Sequence, residues 1–235
     1  MGKQNETANV ADDRPAGAGP SVTRATTIGQ QLRQDIMSGR LAPGSKLHLE
    51  DLRAEMGVSL SPLREGLSRL VTEGLVTSQD QRGYSVAPVS KANLMEILDL
   101  RTNLEVRALR AAIEQGDDAW ETDVLSSHHL LTKIGDKERW TEPFYEEWED
   151  RHRAFHSALI KGSNAPLLLQ FCQTLWDMGH RYRSIFVRAA PPKRDIGREH
   201  KDLLDATLRR DADAACKILV DHIERTGRNI IRNMP

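Results

Sequence analysis

Only two cysteines occur in the 235 residues, Cys172 and Cys216, and they form no Cys-x-x-Cys pair. That excludes a disulfide framework and a cysteine-based zinc knuckle; the apolar helical patterns around both predict buried, reduced thiols. Aromatic residues are scarce at 5% and β-branched runs are few, which argues against a sheet-rich fold and for helix. No run approaches the roughly 18 apolar residues of a membrane span. Excess positive charge is also missing: 33 Lys and Arg face 34 Asp and Glu, a net charge of −1, so any contact with nucleic acid must be local. The first 22 residues lack a basic start followed by an apolar stretch, and read as a disordered tail in place of a signal peptide. A cytoplasmic chain with two domains is expected.

What is present begins with three short helical patterns. Ile28, Leu32 and Ile36 recur at helical spacing up to Gly39, before the turn Leu41-Ala42-Pro43-Gly44-Ser45. A second helix fits Leu49 to Met56 and breaks at Gly57. Ser59 or Ser61 can cap a third, with Pro62 in its first turn and Leu63, Leu67, Leu70 and Val71 as its buried stripe. Leu75 to Ser78 and Tyr84 to Ala87 then flank a hairpin tip carrying Arg82-Gly83. Helix, turn, helix and hairpin in this order predict a winged helix-turn-helix over residues 23–88, with the third helix presented to the major groove.

Within it, Arg64 is the leading candidate for a base or phosphate contact, because a guanidinium bonds guanine or phosphate bidentately. Taken alone it would be a solvated helix arginine; five polar candidates gather in this one motif. Ser59 and Ser61 can bond phosphates while capping the helix, Arg69 lies further along it, and Arg82 beside Gly83 can reach the minor groove from the wing.

Ser90 is the expected N-cap of a long helix ending at Gly116. Further helices are expected at about Ala119 to Ile134, Glu142 to Lys161, Pro166 to Arg188, Ile196 to Arg209 and Ala212 to Asn233, making residues 89–235 an antiparallel all-α bundle. Its histidines are placed suggestively. His152 and His156 lie four apart on one helix face, at a distance a metal can bridge, although such pairs are common at surfaces. His200 and His222 sit beside apolar stripes on later helices, so a bundle can turn all four inward. His128 and His129 are expected on a helix exterior, and the four tryptophans as packing residues.

The stretch Ile36-Met37-Ser38-Gly39-Arg40-Leu41-Ala42-Pro43-Gly44, then Leu47, Leu52, Met56-Gly57-Val58-Ser59, Ser61-Pro62-Leu63-Arg64-Glu65-Gly66-Leu67 and Gly74-Leu75-Val76 resembles the DNA-binding domain of GntR-family regulators over about sixty residues. The family usually carries an Arg after the serine where this chain has Leu60. Residues from about Ser90 to Arg232 resemble the FCD ligand-binding domain of the family's FadR subgroup. That likeness implies a homodimer on double-stranded operator DNA, and a metal held by an Asp and a His four residues apart plus two later His. His156, His200 and His222 match the three His positions; His152 occupies the Asp position, which favours Zn²⁺ or Ni²⁺ over harder ions.

The resemblance further implies a small carboxylate effector that completes the metal shell, and the motifs look closest to the branch responding to glutarate and related acids. Arg101 matches a position the family often points at the pocket; it either binds a carboxylate bidentately or pairs internally with Glu105. Tyr182 and Arg183 are further candidates, with a solvated helix face as the alternative. Metal as the signal itself, or as a purely structural ion, remains the second reading. A metallohydrolase is the remote alternative and fits poorly: Arg153, not the Glu that would serve as general base, follows the first His.

Overall fold

In a computed structural model the structure describes residues 24–79, 83–134, 140, 144–187 and 193–234. The fold is mainly helical. The expected tail at residues 1–22, the wing tip with Arg82, and Pro191-Pro192 lie outside the described residues.

The N-terminal part comprises α1 (Arg24–Met37), β1 (Lys46–Leu47), α2 (Leu49–Met56), α3 (Leu60–Thr72), β2 (Val76–Gln79) and β3 (Gly83–Val86). Ile28, Leu32 and Ile36 of α1 meet Leu63, Leu67 and Leu70 of α3 in one apolar cluster, joined by Leu52, Val76 and Val86. Helices α1 and α3 can approach closely because Gly66 lacks a side chain: a Cβ there would lie 3.2 Å from the Gly29 nitrogen. The sheet has the order β1-β3-β2, all antiparallel, with Val76 opposite Val86 and Lys46 opposite Ser85. Strand β1 is additional to the expected hairpin; two residues are too few to carry an alternating pattern.

The remainder is a helical bundle of α4 (Lys91–Gln115), α5 (Asp118–Thr132), α6 (Phe144–Lys161), α7 (Pro166–Tyr182), α8 (Ile196–Leu208) and α9 (Ala212–Asn233). The Ser90 hydroxyl caps α4 by accepting from the Asn93 N–H at 3.1 Å. Asp117, Asp195 and Asp211 cap α5, α8 and α9 in the same way. Helix α7 does not run on as an α-helix to Arg188; past Tyr182 it widens into a π turn over Arg183–Val187. Phe155, Leu159, Leu203 and Leu219 lie at the centre of the main core.

His128 corrects the expected exterior position of the 128–129 pair. It is buried, with its ring edge-on to Phe155 at 5.2 Å, while His129 is exposed.

Candidate metal centre and DNA-reading helix

Because α6 repeats every 3.6 residues, Glu149, His152 and His156 share one face, at i, i+3 and i+7. That face turns inward against His200 of α8 and His222 of α9, and all four histidines are buried. One ring nitrogen from each lies within 4.8 Å of the others. His156 Nε2 lies 3.5 Å from His200 Nε2; adjacent nitrogens of a tetrahedral zinc shell stand about 3.3 Å apart. Burial drives the His152 pKa down to about 3 against the opposing pull of Glu149. His156, again through burial, falls well below the ordinary imidazole value, with the other histidines adding to the effect. His222 is lowered as well, chiefly by burial, and a lowered imidazole pKa favours the neutral ring with a free lone pair.

Neither nitrogen of His152 has a hydrogen-bond partner, although each buried polar atom left unbonded costs about 1 to 3 kcal/mol. His152 Nδ1 is 3.9 Å from Glu149 Oε2, too far for a bond. Four buried imidazoles with an unsatisfied ring among them suit a divalent cation, and the donor set matches zinc or nickel better than oxygen-seeking ions.

Around the histidines stands a second layer of charge. Glu199 accepts from His222 Nδ1 at 2.9 Å and from Arg225 at 3.1 Å, and also bonds Arg194. Burial pushes the Glu199 carboxyl upward, but the His222 hydrogen bond and Arg194 outweigh it and hold it at about 2. Glu149, also raised by burial, is held far below its usual range chiefly by Arg183, which donates twice at 3.1 Å. Arg101 pairs with Glu105 at 2.6 Å, both 3% exposed. Thus the internal ion pair anticipated for Arg101 exists, and it is buried beside the site. The Arg101 and Arg183 guanidiniums lie 4.6 and 4.4 Å from the Trp176 ring, which in turn sits 4.8 Å from the His156 ring. A cavity of about 180 Å³ opens beside His156, Trp176, Glu105, Cys172 and Ser157.

Arg101 and Arg183 are thus brought to the histidines; Tyr182 is not. Its hydroxyl bonds Asn93 Oδ1 at 2.9 Å and the Ser90 backbone, on another face of α7. Glu149, Glu105 and His180 were not singled out from the sequence. Glu149 was detectable as the third polar residue on the His152–His156 face; Glu105 emerged only as a partner for Arg101.

At the other end, Ser59 occupies the N-cap position of α3, exposed, but its hydroxyl makes no capping bond. Ser61 is exposed inside the first turn, not at the cap. Arg64, one turn further along α3, is exposed and, among the described residues, has no hydrogen bond or ion pair. Arg69 is exposed but engaged within the domain. It donates to Glu65 at 2.6 Å and Thr26 at 3.0 Å, tying α3 to the start of α1. Gly83 opens β3 with φ of +80°, a conformation that favours glycine.

Comparison with known proteins matches residues 24–86 to the bacterial regulatory proteins of the gntR family and residues 96–225 to the FCD domain. The chain belongs to the GntR family. The HTH-type transcriptional repressor GlaR of Escherichia coli K12 is 38% identical over 196 residues, 82% of this chain and 89% of that protein. BphR of Paraburkholderia xenovorans, named as an HTH-type transcriptional regulator, is 39% identical over 197 residues, covering 83% and 80%. A GntR regulator from Rhodococcus sp. RHA1 superposes with a TM-score of 0.73 at 21% identity, covering 90% of this chain and 99% of that one. E. coli McbR/YncC gives 0.70 at 23%, covering 90% and 98%. At those identities the structural likeness speaks for the fold alone. This GntR-family chain is a DNA-binding transcription regulator, not an enzyme. Among the described residues no helix is long and apolar enough to cross a membrane.

Proposed function

We propose that the protein is a repressor whose affinity for operator DNA is set by a small organic acid bound beside a divalent metal ion, zinc in preference to nickel, held by His152, His156, His200 and His222. The single observation behind this reading is the His152 ring, buried among three other histidines with both nitrogens unpartnered. When bound, the ion supplies a Lewis-acidic position and two positive charges that four neutral imidazoles leave uncompensated.

The chain's own residues do the rest. Glu199 holds His222 with its Nδ1 proton outward, so Nε2 faces the other rings. Arg183 and Arg101, flanking Trp176, provide planar donors for a carboxylate. Both are already engaged by Glu149 and Glu105, so an acid must share or displace an internal carboxylate, and only ligands of high local charge compete. The cavity of about 180 Å³ reaches the site only at His156, Trp176 and Glu105, and the space lined by Arg183, Glu149, His152 and His222 holds only about 20 Å³; both are below the roughly 300 Å³ of drug-sized pockets, which suits an acid of few carbons. Exposed Leu167 and Phe171 on α7 and Leu100 on the adjoining α4 favour a homodimer, each copy offering one recognition helix to a half-site.

Elemental analysis of protein purified without an affinity tag tests the metal: about one ion per chain is expected, lost in His156→Ala. Metal-free protein with wild-type effector response refutes the reading. Chelation that weakens acid binding supports the sensor role, whereas dose-dependent operator release by Zn²⁺ alone would make the metal itself the signal.

A further inference from the structure

Helix α7 carries two sets of residues at helical spacing. Trp176, His180 and Arg183, at i, i+4 and i+7, face the site: Trp176 lies against His156, while His180 Nε2 and Arg183 approach the Glu149 carboxylate at 3.7 and 3.1 Å. Met178, Arg181 and Tyr182, at i, i+3 and i+4, face the other way. The Met178 methyl reaches Gly74 at the end of α3, where a Cβ would lie 3.4 Å from it. Tyr182 bonds Ser90 and Asn93 at the N-terminus of α4. Arg181 is 4% exposed and donates to the Ala87 carbonyl, the residue that follows β3.

Arg181 is also poorly compensated. Among the described residues it has no carboxylate partner, and its Nε makes no hydrogen bond. A buried cation supported by one carbonyl is a high-energy contact that small shifts of α7 can break. The π turn begins immediately afterwards, at Arg183, and such turns gather at functional sites.

We infer that Arg181 and Tyr182 are the joint through which the pocket sets the position of the DNA-reading domain. Arg183, which bonds Glu149, and Arg181, which bonds Ala87, are two residues apart on one turn. A carboxylate that draws Arg183 from Glu149 moves this turn, and the turn moves residues 87–93, the stretch joining β3 to α4. Both act as positioning residues: neither needs to touch the effector. The inference rests on the coupling between pocket and operator proposed above, but not on the metal.

A double-mutant cycle on the full-length chain tests it without any ligand. The pocket is perturbed by Glu149→Gln or, separately, His180→Ala; the joint is cut by Tyr182→Phe with Arg181→Met. The readouts are Kd for a fragment of the protein's own promoter and amide exchange over residues 87–94, with exchange in α9 as the control for folding. In the wild-type background the pocket variants should shift operator Kd at least ~5-fold, within the range of known couplings. With the joint cut, that shift should fall below ~2-fold while α9 stays protected. Equal shifts in both backgrounds overturn the inference, as does the absence of any shift in the wild-type background. If the double joint variant does not fold, Tyr182→Phe alone, which keeps the ring and removes only the hydroxyl, completes the cycle. A protein without zinc but with a non-additive cycle loses the metal reading and keeps the joint.

Discussion

Glu199 accepts a 2.9 Å hydrogen bond from His222 Nδ1. An ionised carboxylate only accepts, so the proton sits on Nδ1 and the Nε2 lone pair is left for the other histidines. Carboxylates that orient a ligating histidine typically contribute 10- to 100-fold to metal affinity. Glu199→Gln should therefore weaken zinc binding by about that factor without abolishing it, since all four imidazoles remain. Competition against a chelator of known affinity measures this. Unchanged affinity would mean that His222 is not oriented by Glu199, or is not a ligand.

The Arg101–Glu105 pair yields a stability prediction. Both groups are almost fully buried at 2.6 Å, and deleting one partner of such a pair leaves the other as an uncompensated charge, at a cost of about 3 to 5 kcal/mol. Glu105→Ala should reduce unfolding free energy by that order in urea denaturation, with the loss partly relieved in Arg101→Met/Glu105→Leu. Equal destabilisation by the single and double variants would show that packing, not charge, carries the effect.

How far the sequence was readable follows from what each interaction depends on. Helix α9 was legible residue for residue because its apolar period and the Asp211 cap both act locally. The four histidines were legible as a group because three helices with inward stripes converge. Glu149 and Trp176 were not seen as parts of the site: their roles arise from Arg183, Arg101 and His156, which only packing brings near. Tyr182 is held away from the histidines for the same reason: its partner Asn93 lies 89 residues away, beyond the reach of any local pattern.

Cys172 lines the cavity beside His156 and Trp176. Burial pushes its thiol pKa up to about 11, with the Glu105 carboxylate reinforcing the shift and Arg101 opposing it. A thiol raised in this way has very little thiolate at neutral pH, and the thiolate is the nucleophile. In the native protein, iodoacetamide should modify Cys172 on the order of 100-fold more slowly at pH 8 than in urea-unfolded chain, as expected from roughly two pKa units. Mass spectrometry of the peptide over time measures it. Rapid native labelling at neutral pH would place Cys172 in an open or electropositive environment that this arrangement does not provide.

Arg64 and Arg69 stand five residues apart on α3, yet they should behave differently on DNA. Arg64 is exposed and unpartnered among the described residues, one turn from a helix N-terminus that already favours phosphate. Arg69 is engaged by Glu65 and Thr26, so a phosphate would have to displace an acceptor on its own helix. Arg64→Ala should weaken operator binding by about 1 to 3 kcal/mol if it reads a base, or lower the slope of log K against log salt by about one if it holds a phosphate. Arg69→Ala should leave that slope unchanged and instead lower thermal stability slightly, through the lost tie between α3 and α1. Leu60, half-buried at the first position of α3, tests the same idea in reverse: Leu60→Arg adds a cation at the N-terminal turn and should steepen the slope by about one. Salt titrations of all three variants on one promoter fragment separate the cases. If Arg69→Ala flattens the slope while Arg64→Ala does not, the helix meets DNA by a face other than its first turn.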